Sequence, residues 1–290
     1  MATPAQWLEG ARPRTLPAAV TPVLAGTAIA LHLESVVWWK ALLALLVALA
    51  LQVGVNYAND YSDGVRGTDE HRVGPARLVG SGAAPASAVK QAAFMSFGAA
   101  AVFGLVLAAT TSWWLVLFGL VSILAGWYYT GGRRPYGYLG FGEVMVFVFF
   151  GLVAVLGTIY VQAESLPLAG WYAATGVGVL TTAILVANNL RDIPTDEVAG
   201  KRTLAVVLGD EQTRYFFAFL VAAAVIALVG VALETDWRAL LGLVFLAQAV
   251  PAVRDVLSGT TGRGLIPVLQ RVGIAELVYA AGLFLGLALA

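Results

Sequence analysis

Hydrophobic runs of membrane-spanning length recur along this chain, and no other property restricts its fold as strongly. A helix that crosses a bilayer needs about 20 mostly apolar residues. Windows of that kind fall near residues 16–32, 38–58, 87–110, 113–130, 141–161, 169–190, 213–233, 237–256 and 272–290, the first and fourth being the shortest. Lipid offers the backbone no hydrogen-bond partners, so each window predicts a helix. With 60% hydrophobic and 12% charged residues, the chain also has more apolar surface than a soluble domain would bury. The expectation is an all-α membrane protein with nine transmembrane helices, forming one polytopic domain over residues 1–290.

Charge placement orients the bundle. With the N-terminus inside, the inner segments hold 15 of the 17 Lys and Arg residues, and the outer ones keep only Lys40 and Arg238. That bias predicts a cytoplasmic N-terminus, an external C-terminus and residence in the cell membrane. No short apolar stretch precedes a small-residue cleavage site, so no removable signal peptide is expected. The 17 acids cancel the 17 bases, and no bulk field points to nucleic acid. Cysteine is absent and His32 and His71 are the only histidines, which excludes disulfides, thiolate zinc and multi-histidine sites. A metal here would sit on oxygen.

The acids gather on the same inner side, which the sorting of Lys and Arg does not explain. One cluster, Asn56, Asn59, Asp60, Asp63 and Asp69, stands at the inner end of the second window, and another, Asn188, Asp192, Asp196 and Glu197, at the inner end of the sixth. Spacings of three and four put Asn56, Asp60 and Asp63 on one helical face, and Asn188, Asp192 and Asp196 on another. Pro194 predicts an end or kink in that second helix before Asp196. Two carboxylate pairs brought together repel unless cations lie between them. Mg²⁺ suits such partial oxygen sets, because it completes its shell with water and phosphate oxygens. Arg66, Arg72 and Arg77 follow the first cluster, Arg191, Lys201 and Arg202 surround the second, and Arg133 and Arg134 lie between. Guanidinium groups match phosphate oxygens. Ion pairing at a solvated helix end would explain either cluster alone; the double occurrence favours a diphosphate site.

These residues resemble a known family. Asn59-Asp-Tyr-Ser-Asp63-Gly-Val-Arg66-Gly-Thr-Asp69, followed by Arg72-Val-Gly-Pro-Ala-Arg77, is similar to the first signature of the UbiA superfamily of intramembrane aromatic prenyltransferases, in the form of its 1,4-dihydroxy-2-naphthoate branch. Asn188-Asn-Leu-Arg-Asp192-Ile-Pro-Thr-Asp196 with Gly200-Lys-Arg-Thr203 resembles the second. Ala11-Arg-Pro-Arg14-Thr-Leu-Pro17 and Arg134-Pro-Tyr-Gly-Tyr138 through Glu143 are further matches, and beyond about residue 210 only hydropathy remains. Asp69 departs from the hydroxybenzoate branch, following Asp63 by six residues where that branch has four, and its part stays open.

The resemblance implies a helix bundle around a central cavity, capped on the cytoplasmic side by the loops after helices two and six. It implies that Asn56, Asp60, Asp63, Asp192 and Asp196 hold Mg²⁺ against a polyprenyl diphosphate. The implied reaction transfers the prenyl chain to 1,4-dihydroxy-2-naphthoate with loss of CO₂ and diphosphate, giving a demethylmenaquinol. Arg66 and Arg191, inside the motifs, are candidates to stabilise the departing diphosphate. Arg14, Arg72, Arg77, Arg133, Arg134, Lys201, Arg202, Asn59 and Asn188 are candidates for binding either substrate, and their division between diphosphate and acceptor carboxylate is open. Tyr128, Tyr129, Tyr136 and Tyr138 either shield a prenyl cation or form an interfacial belt. Glu143 and Glu276 are intramembrane acids and so functional candidates. The competing readings are the same fold with another acceptor, such as 4-hydroxybenzoate, and an ion-coupled transporter.

Overall fold

The structure, a computed structural model, describes residues 2–67 and 77–290, and these residues form helices and turns with no strand. The first acidic motif is described only as far as Gly67, so Asp69 and Arg72 lie outside it. We label the helices α1 (Pro4–Gly10), α2 (Pro17–His32), α3 (Trp38–Arg66), α4 (Ala86–Thr110), α5 (Trp114–Tyr128), α6 (Gly142–Ala163), α7 (Leu168–Val198), α8 (Leu204–Glu234), α9 (Trp237–Leu257) and α10 (Gly262–Ala288). Within α6, residues Phe147–Leu156 are wound as a π-helix, and α8 bends at Gly209.

All nine apolar windows are helical, but their lengths differ. Seven helices, α3, α4 and α6 to α10, are long and apolar enough to span a bilayer. An eighth span results if the segment Pro4–Thr15 and α2 count as one, since they meet at a bend of 47°. Pro13 and Pro17 start the two helical segments flanking that bend, as proline does at first-turn positions. The fourth window becomes α5, which has 15 residues and is shorter than a typical span.

Two long helices carry the acidic motifs. Helix α3 runs for 29 residues, far enough to include Asn56, Asp60 and Asp63, and it stops at Gly67, whose φ of 72° is the left-handed cap that glycine adopts without strain. Helix α7 runs for 31 residues and does not end at Pro194. The proline costs the helix a single N–H bond, and the last turn closes beyond it through the Ala199 N–H on Thr195 and Glu197 carbonyls. Asn188, Asp192 and Asp196 therefore stay in helical register.

Helix α7 is the axis of the bundle: 72% of its apolar span is buried, against 28–44% for the others. It packs on α2, α6, α8 and α10. Lipid tails are as apolar as the helix faces, so such packing relies on close backbone approach. Gly151 of α6 and Gly178 of α7 provide it; a methyl group on Gly151 would lie 2.6 Å from the Gly178 Cα and 2.7 Å from the Ala174 carbonyl oxygen. Gly151→Leu is accordingly expected to destabilise the protein by about 1–3 kcal/mol or more through overpacking. Thermal melting of the purified variant checks this, and an unchanged midpoint would show that the two helices separate without cost.

Candidate active site

The inner end of α3 is fixed on one side by the N-terminal segment. The Asn56 Nδ2 donates to the Ala11 carbonyl and to the Thr15 hydroxyl, both at 2.9 Å, and Gln52 donates to the same hydroxyl at 3.0 Å. The Tyr57 hydroxyl donates to the Trp7 carbonyl at 2.9 Å. Arg14 is exposed on the turn that these bonds position.

Asp60 is 1% exposed, and both of its oxygens accept backbone N–H groups, from Leu78 at 2.8 Å and from Val79 at 3.0 Å. It thus ties the chain after the first motif back onto the helix. The resemblance implied Asn56 and Asp60 as metal ligands; here the amide of one and both oxygens of the other have bonds that hold the frame. Arg66 shows the same pattern. Its guanidinium donates to the Thr130 and Gly132 carbonyls and lies 5.6 Å from the centre of the Tyr138 ring. Asn59 accepts from the Thr130 hydroxyl at 2.7 Å, so two residues of α3 fasten the start of the 130–138 loop.

Asp63, one turn further along the same face, reaches two other partners. It accepts from the Tyr138 hydroxyl at 2.6 Å and pairs with Arg77 at 3.2 Å. On α7, Arg191 grips Asp192 with Nε and Nη2, each at 2.7 Å, and reaches the Asn188 Oδ1 at 2.8 Å. Lys201 pairs with Asp196 at 3.9 Å, and its Nζ stands 4.6 Å from the centre of the Tyr138 ring. The backbone N–H of Arg202 donates to the Tyr138 carbonyl at 3.0 Å. Tyr138 therefore joins the two motifs: its hydroxyl holds Asp63, and its ring lies beside the lysine that holds Asp196. Asp63 and Asp196, remote in sequence, are thereby joined at one end of the bundle.

Other predicted residues border this end. Arg133, Arg134 and Arg202 are exposed, the first two on the loop that α3 fastens. Tyr129 packs edge-on against Tyr136 with centroids 5.5 Å apart, and Tyr136 donates to the Ala125 carbonyl at 2.8 Å. Burial raises the Tyr136 hydroxyl above its ordinary range. Glu143 accepts from Asn189 at 2.8 Å, and Glu276 from Thr181 at 2.5 Å; both lie sealed between helices. They act as polar clamps of α7 on α6 and α10. The bridge through Tyr138 was the main feature hidden in the sequence, where this residue stood only among four tyrosines beside the membrane.

The donor set tests whether a metal fits. Asp63, Asp192 and Asp196 offer hard carboxylate oxygens and Asn188 an amide oxygen, while among the described residues no three or more His, Cys, Asp or Glu are gathered so that they could hold a metal ion by themselves. Such an incomplete oxygen shell suits Mg²⁺, which keeps waters and takes the remainder from a phosphate. The flanking Arg77, Arg191 and Lys201 could offer complementary charge to such a phosphate.

Acids paired with bases at one end of a bundle of membrane-length helices mark this as a polytopic membrane protein with a charged site at a helix end. Residues 19–261 match the UbiA prenyltransferase family, and the chain belongs to that family. Over 280 residues it is 55% identical to 1,4-dihydroxy-2-naphthoate octaprenyltransferase of Mycobacterium tuberculosis (strain ATCC 25618 / H37Rv), an alignment covering 97% of this chain and 96% of that protein. The enzyme of the same name from Escherichia coli (strain K12) is 37% identical over 300 residues, covering 96% and 95%. Among solved structures, a UbiA homolog from Archaeoglobus fulgidus bound to GPP and Mg²⁺ superposes with a TM-score of 0.73 at 17% identity, covering 98% of this chain and 99% of that one. That likeness establishes the fold.

Proposed function

We propose that this chain transfers a polyprenyl group from its diphosphate to 1,4-dihydroxy-2-naphthoate, in a Mg²⁺-dependent reaction that releases CO₂ and diphosphate and yields a demethylmenaquinol. The observation that carries this reading is the convergence of Asp63 and Asp196, the latter one turn along α7 from Asp192, on Tyr138. Relatives at 55% and 37% identity that bear the naphthoate prenyltransferase name support the acceptor. We assign Asp63, Asp192 and Asp196 to the metal directly, with Asn56 and Asp60 setting their frame and keeping only the Asn56 Oδ1 and second lone pairs for it. When bound, the metal neutralises charge on the departing diphosphate.

The remaining steps belong to the chain itself. Arg77, Arg191 and Lys201, with Arg72, Arg133, Arg134 and Arg202 around them, hold diphosphate oxygens and the acceptor carboxylate. The apolar bundle keeps water from the allylic cation left when the carbon–oxygen bond breaks, and Tyr129 and Tyr138 present ring faces to it. The electron-rich acceptor ring forms the new carbon–carbon bond, and departure of its carboxylate as CO₂ restores aromaticity without a strong base. We further propose nine crossings, with α2 and α5 as shortened spans, in one domain over 1–290. The charged site then lies under a cytoplasmic cap, with the N-terminus inside and the C-terminus outside the cell membrane.

The test is turnover by the purified protein with a polyprenyl diphosphate and a panel of acceptors. Product and CO₂ from dihydroxynaphthoate are expected with Mg²⁺; activity on 4-hydroxybenzoate instead would overturn the acceptor assignment. Tyr138→Phe keeps the ring and removes the bond to Asp63. Turnover is expected to fall about 10- to 100-fold, with a higher Mg²⁺ requirement, as when a metal ligand loses its orienting partner. Rates measured against Mg²⁺ concentration decide it, and an unchanged curve would make the hydroxyl idle.

A further inference from the structure

Every acid we assign to the metal already holds a cation of the chain: Arg77 on Asp63, Arg191 on Asp192 and Lys201 on Asp196. Arg191 is the most complete case. Its two nitrogens occupy both oxygens of Asp192 at 2.7 Å, and one of them also takes the Asn188 Oδ1 at 2.8 Å. One guanidinium thus covers every side-chain oxygen that these two residues offer. The pair is largely buried, with side chains 8% and 14% exposed, so the charge-assisted bonds are weakly screened.

A divalent cation on these oxygens would stand beside the guanidinium's own positive charge, and that repulsion is relieved only if the guanidinium moves away. A buried guanidinium set free is costly unless another anion receives it. A diphosphate beside the metal is such an anion, and its oxygens fit the same fork. The charges agree. The three pairs are balanced among themselves; a metal alone would add positive charge to them, a diphosphate alone negative charge, and the two together nearly cancel. We infer that Arg191 is an exchange partner: it occupies the metal-facing oxygens in the resting protein and passes to phosphate oxygens when cation and diphosphate arrive, so that each ligand strengthens binding of the other. Arg77 and Lys201 make the same exchange on their own acids. Binding linkage requires the coupling to be reciprocal.

This inference rests on the diphosphate reading above, and the experiment separates the two. Mn²⁺ binding to the purified full chain is followed by electron paramagnetic resonance without diphosphate, for wild type, Arg191→Gln and Arg191→Lys. The glutamine variant is expected to bind Mn²⁺ about tenfold more tightly, within the usual range of coupling between sites. The lysine variant, which keeps the charge but cannot span both oxygens, should fall between and carries the test if the glutamine variant does not fold. Retention of a radiolabelled, non-ionising polyprenyl thiodiphosphate should rise about tenfold with Mn²⁺ in wild type, and less in Arg191→Gln. Unchanged or weaker Mn²⁺ binding by folded variants overturns the exchange. Failure of wild type to bind the thiodiphosphate at any Mn²⁺ concentration overturns the functional reading instead.

Discussion

Asp196→Asn is expected to lower prenyl transfer about 10²- to 10³-fold, the range seen when a group that stabilises transition-state charge is lost, while the protein stays folded. Asp196 is the most suitable of the three acids for this comparison. Its ion pair with Lys201 is the longest at 3.9 Å, and Lys201 keeps the Tyr138 ring 4.6 Å away as a second neighbour. The amide preserves size and helical position but removes the negative charge that draws a cation. Initial rates at saturating Mg²⁺, together with a melting curve, provide the check. Near-normal turnover with unchanged melting would show that Asp196 merely solvates the helix end.

Asp60→Ala is expected to act in the opposite way, on the fold first. Removing this carboxylate leaves the Leu78 and Val79 N–H groups without their acceptor in a site that is 1% exposed at Asp60. Each charge-assisted bond of this kind contributes about 1.5–3 kcal/mol, so a loss on the order of 3–5 kcal/mol is expected. Thermal melting should drop markedly, and limited proteolysis should open the chain near residues 77–82, because the turn leaves α3. Activity would be lost with it, since Arg77 is carried on that turn to Asp63. A variant that melts like wild type yet has lost metal binding would instead make Asp60 a ligand and not an anchor.

The contrast between these two acids shows how far the sequence reaches. Apolar windows located every membrane-length helix, because length and hydropathy are local properties, and missed only short pieces such as α1; α5 and α2 fell short as spans. Spacings of three and four placed Asp60 and Asp63 on one helix, and Asp192 and Asp196 on another, correctly. Which partner each acid meets is not local. Asp60 points to a turn beginning 18 residues later, and Asp63 to Tyr138, 75 residues away. Arg66 looked like a phosphate ligand by its place in the motif, yet its donors reach the Thr130 and Gly132 carbonyls, since a loop that carries other basic residues must itself be held. Pro194 weighed against continuation of α7, and the helix passes it because near its end the proline costs only one N–H bond and the last turn closes beyond it.

The most direct measurement is the structure of the purified protein with Mn²⁺ and a polyprenyl thiodiphosphate, the metal located by anomalous scattering. Metal density touching Asp63 on one side and Asp192 or Asp196 on the other, with one diphosphate between them, is the predicted result. Metal at only one of the two helices, or a diphosphate bound away from Tyr138, would contradict it.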